Sequence, residues 1–571
     1  MTLESTTPTP GRVDAVPDVL AEGPAQETQA ETNRGVARAT GVLALGNISS
    51  RVLGLVREIV LTNLFGATAA VSAFDVATVV PKGLYDLLIG GHVNGAIIPV
   101  LSEIVTLKGK DELWRLVSVL LSMVTVVLAV LVLLIELAAP WIVAVVGGGL
   151  TGDTQALATS LLRLTSPALL FMSLFAVLSG TLYALRSFTW PAFATTVFNG
   201  VIVVVMLVFV PPQRLVVTVS SPAVVDWAFT RPDDAIIVAA VGWLAGSLAY
   251  LLLQLPGLRG ARLRPTLRWR HPGIRQIMLL YIPVMFSLVL DVLVIRIFSY
   301  NLASQTGESS IAYMNRATTL IQFPQGLVAT AISIAILPTL ARQAALIKSN
   351  GDPKTFRDTL GLGMRLAITL ILPATIGLFV LSMPIVALLF EHGAFTVQDT
   401  ETVSLVLRLY LIGLPFAAVD LLLVYAFYAR QDTLTPALVG LFSLSVYMVI
   451  ALVLMPRYGL LSLMLADSAK HIIHAALSAY LLNWRMRGFG QQRFGLTIGK
   501  AGVAAAVMGI AAALLLAFLN GLGIDRGAVE EAILVMACGG LSVAVYVGLA
   551  YLFNIEEWRW LVEMVRARLR R

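Results

Sequence analysis

The sequence lacks most of what an enzyme or a metalloprotein is built from. One cysteine, Cys538, stands among 571 residues, which excludes an intrachain disulfide and a cysteine-ligated metal centre. Five histidines form no spaced ligand set; His471 and His474 share a helical face but have no third ligand nearby, so no metal is expected. A Walker A lysine loop, a G-x-S-x-G elbow and an H-E-x-x-H helix are all missing, which removes ATP hydrolysis and two large hydrolase classes. The expectation is no enzyme and no cofactor, with energy drawn from the membrane potential, from an ion gradient such as sodium or proton, or from the substrate itself. Charge is scarce too: 13% of residues are charged against 58% hydrophobic, where soluble domains carry about a quarter charged. With a mean hydropathy of +0.86, a soluble globular fold is excluded.

What is present is apolar runs of bilayer length. Counting stretches of roughly 20 apolar residues gives about fourteen spans, near residues 36–65, 70–106, 113–147, 153–186, 188–210, 235–258, 275–303, 309–343, 358–390, 400–429, 434–455, 459–483, 497–520 and 529–554. The expected fold class is therefore all-α, a polytopic membrane protein with about 14 transmembrane helices. Basic residues supply an independent check, because Lys and Arg collect in short cytoplasmic loops. With the N-terminus inside, the even-numbered loops hold Lys108, Lys110 and Arg115, then Arg186, six arginines from Arg259 to Arg275, a set from Arg342 to Arg357, Arg430, and Arg485, Arg487 and Arg493. The odd-numbered loops are mostly short or acidic, with Arg214, Arg231, Arg457 and Arg526 as exceptions. Both termini are thus expected to be cytoplasmic. The net charge of +7 is spread over inside loops rather than gathered on one nucleic-acid face, and inner-leaflet headgroups are the expected partners of those loops.

An internal repeat organises the spans. Ala96-Ile97-Ile98-Pro99-Val100-Leu101 in the second span is echoed by Ala335-Ile336-Leu337-Pro338-Thr339-Leu340 in the eighth. An even offset of six spans preserves orientation, which gives two pseudo-symmetric six-helix lobes plus two C-terminal helices. In transporters built from repeats the substrate site lies between them. The chain then divides into a disordered cytoplasmic tail (1–34), an N-terminal six-helix lobe (35–258), a basic cytoplasmic loop (259–274), a C-terminal six-helix lobe (275–490), two additional transmembrane helices (491–556) and a basic cytoplasmic tail (557–571).

The first span contains "SRVLGLVREIVL", with Arg51, Arg57 and Glu58 inside a membrane-crossing segment. A charge at the bilayer centre costs about 2.5–3.5 kcal/mol on insertion scales, so such residues face a cavity, a partner or a ligand. Arg51 and Glu58 share a face but lie about 10.5 Å apart along a helix and cannot pair. Lys82 and Asp86 in the second span are at i and i+4, where they can satisfy one another. Asp291 and Arg296 in the seventh point to different faces, and Arg316 lies in the eighth. Arginine favours bidentate contacts to phosphate, so the set points to a transporter for an anionic, phosphate-bearing solute or lipid headgroup.

The stretch "SRVLGLVREIVLTNLFGA", together with "AIIPVLSE", "LIQFPQGLVATAISIAILPTLAR", "LLFEHGAFT" and "FYARQDTLTP", resembles the MurJ/MviN lipid II flippases of the multidrug/oligosaccharidyl-lipid/polysaccharide exporter superfamily. The resemblance implies a V-shaped pair of six-helix lobes in the bacterial plasma membrane, with two further helices forming a groove for a lipid tail. It implies alternating-access transfer of an undecaprenyl-pyrophosphate-linked peptidoglycan precursor, by a monomer in contact with membrane lipids and cell-wall synthesis proteins. Arg51 and Arg57 match the family's first-helix cavity arginines, and Glu58 stands where aspartate is usual. The pattern also departs from the family: Ser72 replaces an aspartate with Asp75 one turn on, Tyr85 and Asp86 occupy two basic positions, Lys82 adds a cation, and Thr319 takes an arginine position with Arg316 about one turn away. Three alternatives remain open at this level: export of another polyprenyl-linked saccharide, ion-coupled antiport within the same superfamily, and a transport-inactive scaffold for cell-wall synthesis.

Overall fold

The computed structural model describes residues 29–87, 97–221, 224–266, 272–275, 277, 296–350, 353–486, 488, 492–523 and 527–569. Inside a bilayer the backbone has no water to bond, and an uninterrupted helix is how an apolar run satisfies its own amides. The first half supplies α1 (Gln29–Phe65), α2 (Ala69–Tyr85), α3 (Ile98–Leu107), α4 (Lys110–Val146), α5 (Gly152–Thr165), α6 (Ala168–Ala184), α7 (Thr189–Phe209) and α8 (Ile237–Leu252). The second supplies α9 (Arg296–Ser304), α10 (Ser310–Pro324), α11 (Ala331–Asn350), α12 (Lys354–Val380), α13 (Ser382–Phe390), α14 (Val397–Ala429), α15 (Leu434–Tyr458), α16 (Leu461–Arg485), α17 (Phe494–Gly521), α18 (Ala528–Leu552) and α19 (Glu556–Leu569).

Ten helical stretches among the described residues are long and apolar enough to cross a membrane, and each coincides with an expected span. The other four expected spans have plain reasons for falling short. Charges interrupt the apolar runs of α1 and α16, residues 88–96 between α2 and α3 lie outside the described set, and so does all of 278–295 before α9. Helix α1 begins at Gln29, six residues inside the segment expected to be a disordered tail. Between α7 and α8 the chain forms an antiparallel hairpin, β1 (Arg214–Ser221) with β2 (Val224–Thr230), in register Arg214 with Thr230. The described parts of the spans are helical, and the hairpin lies in the connection between α7 and α8. Its base is tied down by Arg231, which donates to the carbonyls of Leu64 at 2.6 Å and Pro211 at 3.0 Å.

The repeat is visible in the backbone. The chain loosens into wide π-type turns at Asp86–Leu87 and again at Gln325–Thr330, positions related by the same spacing that links Ala96 to Ala335. Pro324 lacks an N–H and so breaks the regular ladder where the second of these turns begins. Within the first lobe α1 packs on α7, α7 on α8, α2 on α5 and α4 on α6. Within the second, α16 sits against α14 and α15, while α12 leans on α14 and carries the added pair α17 and α18. The lobes meet where α10 touches α1 and α2, where α9 touches α4 and where α13 touches α1. Large apolar side chains such as Leu137, Val453 and Leu514 remain exposed on the flanks, as suits a surface solvated by acyl chains rather than water.

Close approach of α1 to α7 depends on Gly46, where a β-carbon would collide with the carbonyl group of Ala192. Backbone cannot move aside as a flexible side chain does. Gly46→Val is therefore expected to destabilise the first lobe by about 1–3 kcal/mol, read as a lower melting temperature in detergent with no selective effect on ligand affinity.

Candidate functional site

Helices α1, α2, α7, α8, α9, α10 and α14 enclose a cavity of about 290 Å³ between the lobes. Its wall carries Arg57, Glu58, Asp75, Lys82, Arg296 and Arg316, so residues from the first, second, seventh and eighth expected spans do converge. Arg57 is fixed from three sides. One terminal nitrogen donates to Asn199 Oδ1 at 3.0 Å, the other to Glu58 Oε1 at 2.5 Å, and the guanidinium carbon lies 5.6 Å from the centre of the Trp243 ring. A planar cation held in this way enters ligand binding already oriented.

Arg316 has a different environment. It is fully buried, donates from Nε to Thr62 Oγ1 at 3.0 Å, and its Nη1 lies 3.3 Å from Glu58 Oε2 and 3.5 Å from Asp75 Oδ2. These two charge contacts are longer than good hydrogen bonds, and neither terminal nitrogen makes a hydrogen bond among the described residues. The residue links α10 of the second lobe to α1 and α2 of the first. Ser72 supports the same junction by accepting from the Ala312 amide at 3.3 Å.

The expected Lys82–Asp86 pair does not form. Asp86 lies where α2 loosens its winding, and its carboxylate faces Arg296 across the lobe boundary at 3.5 Å. Lys82 instead projects into the cavity, exposed and without an ion pair among the described residues. Arg51 is placed differently from the cavity role that the resemblance implies. It is absent from the cavity wall and donates to the carbonyl of Gln322 at 3.2 Å, packed against Gly326 in the π-type turn. Gln322 does line the cavity, so Arg51 acts one residue removed, at the rim. Asp291 lies outside the described residues.

Four cations, Arg57, Lys82, Arg296 and Arg316, thus face three carboxylates, Glu58, Asp75 and Asp86. Lys82, exposed at the cavity wall, leaves the set with a surplus positive charge. Asn199 and Trp243 belong to this site although the sequence reading did not place them in it, and Asp75, named there only as a departure from the family pattern, lines it. A polar side chain alone in an apolar span was the available signal for Asn199, while Trp243 looked like any core aromatic. At one end of the bundle the lobes touch through Gly149 N to Ser304 Oγ at 2.9 Å, Asn301 Nδ2 to the Val145 carbonyl at 2.8 Å and Ala394 N to the Asn63 carbonyl at 3.0 Å. These contacts close that end, and Arg316, bonded to Thr62, lies beside the Asn63 contact.

Comparison with known proteins agrees with this architecture. Residues 61–525 match the family model described as lipid II flippase MurJ. The chain is 29% identical over 520 residues to a lipid II flippase MurJ of Burkholderia cenocepacia, covering 89% of this chain and 95% of that one. It is 31% identical over 447 residues to a probable lipid II flippase MurJ of Vibrio cholerae, covering 76% and 81%. Among solved structures it superposes on lipid II flippase MurJ in an inward closed conformation with a TM-score of 0.72 at 22% identity, over 90% of this chain and 99% of that one. An inward-facing MATE family multidrug transporter of the MOP superfamily follows the same fold with a TM-score of 0.59 at 16% identity, over 78% and 96%. This chain, a multi-span membrane protein and not an enzyme, belongs to the lipid II flippase MurJ family.

Proposed function

We propose that the protein moves lipid II, the undecaprenyl-pyrophosphate-linked peptidoglycan precursor, across the bacterial plasma membrane by alternating access of the interlobe cavity. The observation that carries this reading is the cavity's charge: an oriented Arg57, a Lys82 without an ion pair among the described residues and a partly exposed Arg296, in excess over the carboxylates. A pyrophosphate is a compact anion that suits such a wall. Lys82 and Arg57 take the headgroup, Arg296 changes partner from Asp86 to phosphate as it enters, and Arg51 shapes the rim through Gln322. Basic loops put the closed end outside and both termini in the cytoplasm, so the cavity in this state exchanges with the inner leaflet. Opening requires the Glu58–Arg316–Asp75 junction to part while the inner contacts close. The domain divisions read from the sequence serve this scheme, with the two lobes rocking and α17 and α18 flanking the path of the lipid tail.

The test replaces a host's own lipid II flippase with this chain and scores growth together with labelling of lipid II at the outer surface of intact cells. Rescue with labelled lipid II outside is the expected result. Stable expression with neither growth nor labelling overturns the substrate assignment and moves it to another polyprenyl-linked saccharide, a reading favoured by Lys82 and Asp86, which stand at positions where the family pattern differs.

A further inference from the structure

A second group of ionisable side chains lies inside the second lobe, where α16 packs on α14 and α15. His474 Nδ1 and Asp420 Oδ1 are 2.5 Å apart, with the side chains 14% and 15% exposed. Ser478 Oγ stands 3.4 Å from the same nitrogen. On the same helix, Lys470 Nζ donates to Asp467 Oδ1 at 2.5 Å and His471 Nε2 lies 3.6 Å from Asp467 Oδ2. From α15 comes Tyr447, whose ring centre is 5.6 Å from the Lys470 ammonium. From α14 come Tyr410, an electrostatic neighbour of Asp467, and Tyr428, an electrostatic neighbour of Asp420.

These groups form a chain that begins at the cavity. Ser299 and Tyr410 line the cavity wall, Ser299 shares a 2.6 Å hydrogen bond with Tyr447, Tyr447 stands over Lys470 and Lys470 pairs with Asp467, and His471, beside Asp467, is an electrostatic neighbour of both Asp420 and His474. Charge is unevenly balanced along it. Lys470 neutralises Asp467, whereas His474 is the one ionisable partner within ion-pair distance of Asp420 among the described residues. A carboxylate at membrane depth needs a counter-charge, and an imidazole supplies one only by taking up a proton.

We propose that the Asp420–His474 pair is a proton-binding site in the second lobe and couples opening and closing of the cavity to the proton gradient. His474 takes one proton from water on one side, is held as imidazolium by the Asp420 carboxylate, and returns that proton to water on the other side after the lobes reorient. No other bond changes. What the proton drives rests on the flippase reading; that a proton is bound and moves the lobes does not.

Two measurements separate these. In the first, spin labels at Gly152→Cys and Val397→Cys, both exposed near the closed end, are placed in a Cys538→Ala background and the interlobe distance is followed from about pH 5 to 8. The ratio of open to closed populations is expected to change at least threefold in the otherwise native protein and to stay flat in His474→Gln and Asp420→Asn, with Asp420→Glu keeping the response. A flat native profile, or a His474→Gln variant that still responds, overturns the proposal. In the second, proteoliposomes carry fluorescent lipid II under an imposed pH gradient with the electrical potential clamped. Acceleration of transfer is expected in the native protein and not in His474→Gln; a sodium gradient that substitutes fully for protons overturns proton coupling. If native vesicles move no lipid II at all, the flippase reading fails while the distance measurement still decides on the proton site.

Discussion

Arg57→Ala is expected to reduce lipid II translocation by at least tenfold while leaving expression and melting temperature near those of the native protein. The guanidinium has two roles that separate on substitution. It neutralises Glu58 at 2.5 Å and accompanies Asn199 at 3.0 Å, and it presents the oriented edge against which a pyrophosphate would dock. A charge-assisted hydrogen bond is worth about 1.5–3 kcal/mol, so losing one to the headgroup gives roughly a 10- to 100-fold weaker bound state. Glu58 keeps Arg316 as a partner at 3.3 Å, which is why the fold survives. Arg57→Lys restores the charge but not the fork or the stacking over Trp243, and recovery is expected to be partial. Arg430, outside the cavity beside Met486, is the control: Arg430→Ala should change transfer less than twofold. Assays on outer-leaflet lipid II in intact cells read all three variants. Native activity in Arg57→Ala would remove the pyrophosphate-binding role from this residue.

Much of the molecule was legible because bilayer physics is coarse. Helices are forced wherever an apolar run crosses lipid, and the Ala-Ile-Pro-Leu echo has the same spacing as the two π-type turns at Asp86 and Gln325. The same constraint made Arg57, Glu58, Lys82, Arg296 and Arg316 conspicuous, and they do meet around one cavity. Partner choice was not legible. Lys82 and Asp86 have ideal helical spacing, but the winding changes at Asp86 and Arg296 arrives from another lobe, so a local rule lost to a tertiary contact. Arg51 and Arg57 look equivalent in the sequence; six residues of helical rotation put one on the cavity wall and the other on the carbonyl of Gln322. Asp420 and His474 lie 54 residues apart on different helices, and no helical periodicity links them. The hairpin at 214–230 belongs to a loop, where burial does not dictate structure.

Arg316 decides between a binding role and a latch, and the structure favours the latch. A side chain with no exposed surface, held between Glu58, Asp75 and Thr62, joins the two lobes beneath the closed end. Removing one member of a buried ion cluster costs about 3–5 kcal/mol, because the charges left behind remain desolvated. Glu58 retains Arg57, so the uncompensated group is Asp75. Arg316→Met should therefore lower the melting temperature in detergent by several degrees, and adding Asp75→Asn should restore half or more of that loss by removing the orphaned charge. Opening is read separately. Leu61 is buried and lines the cavity, and Leu61→Cys in a Cys538→Ala background reports access from outside through a membrane-impermeant maleimide. Labelling should rise several-fold with Arg316→Met and stay raised in the Asp75→Asn double variant, since neutralising Asp75 repairs the charge balance without rejoining the lobes. A double variant that is stable again yet as closed as the native protein would place the latch elsewhere, on the turns around Gly149 and Ala394, and leave Arg316 as a counter-charge for Asp75.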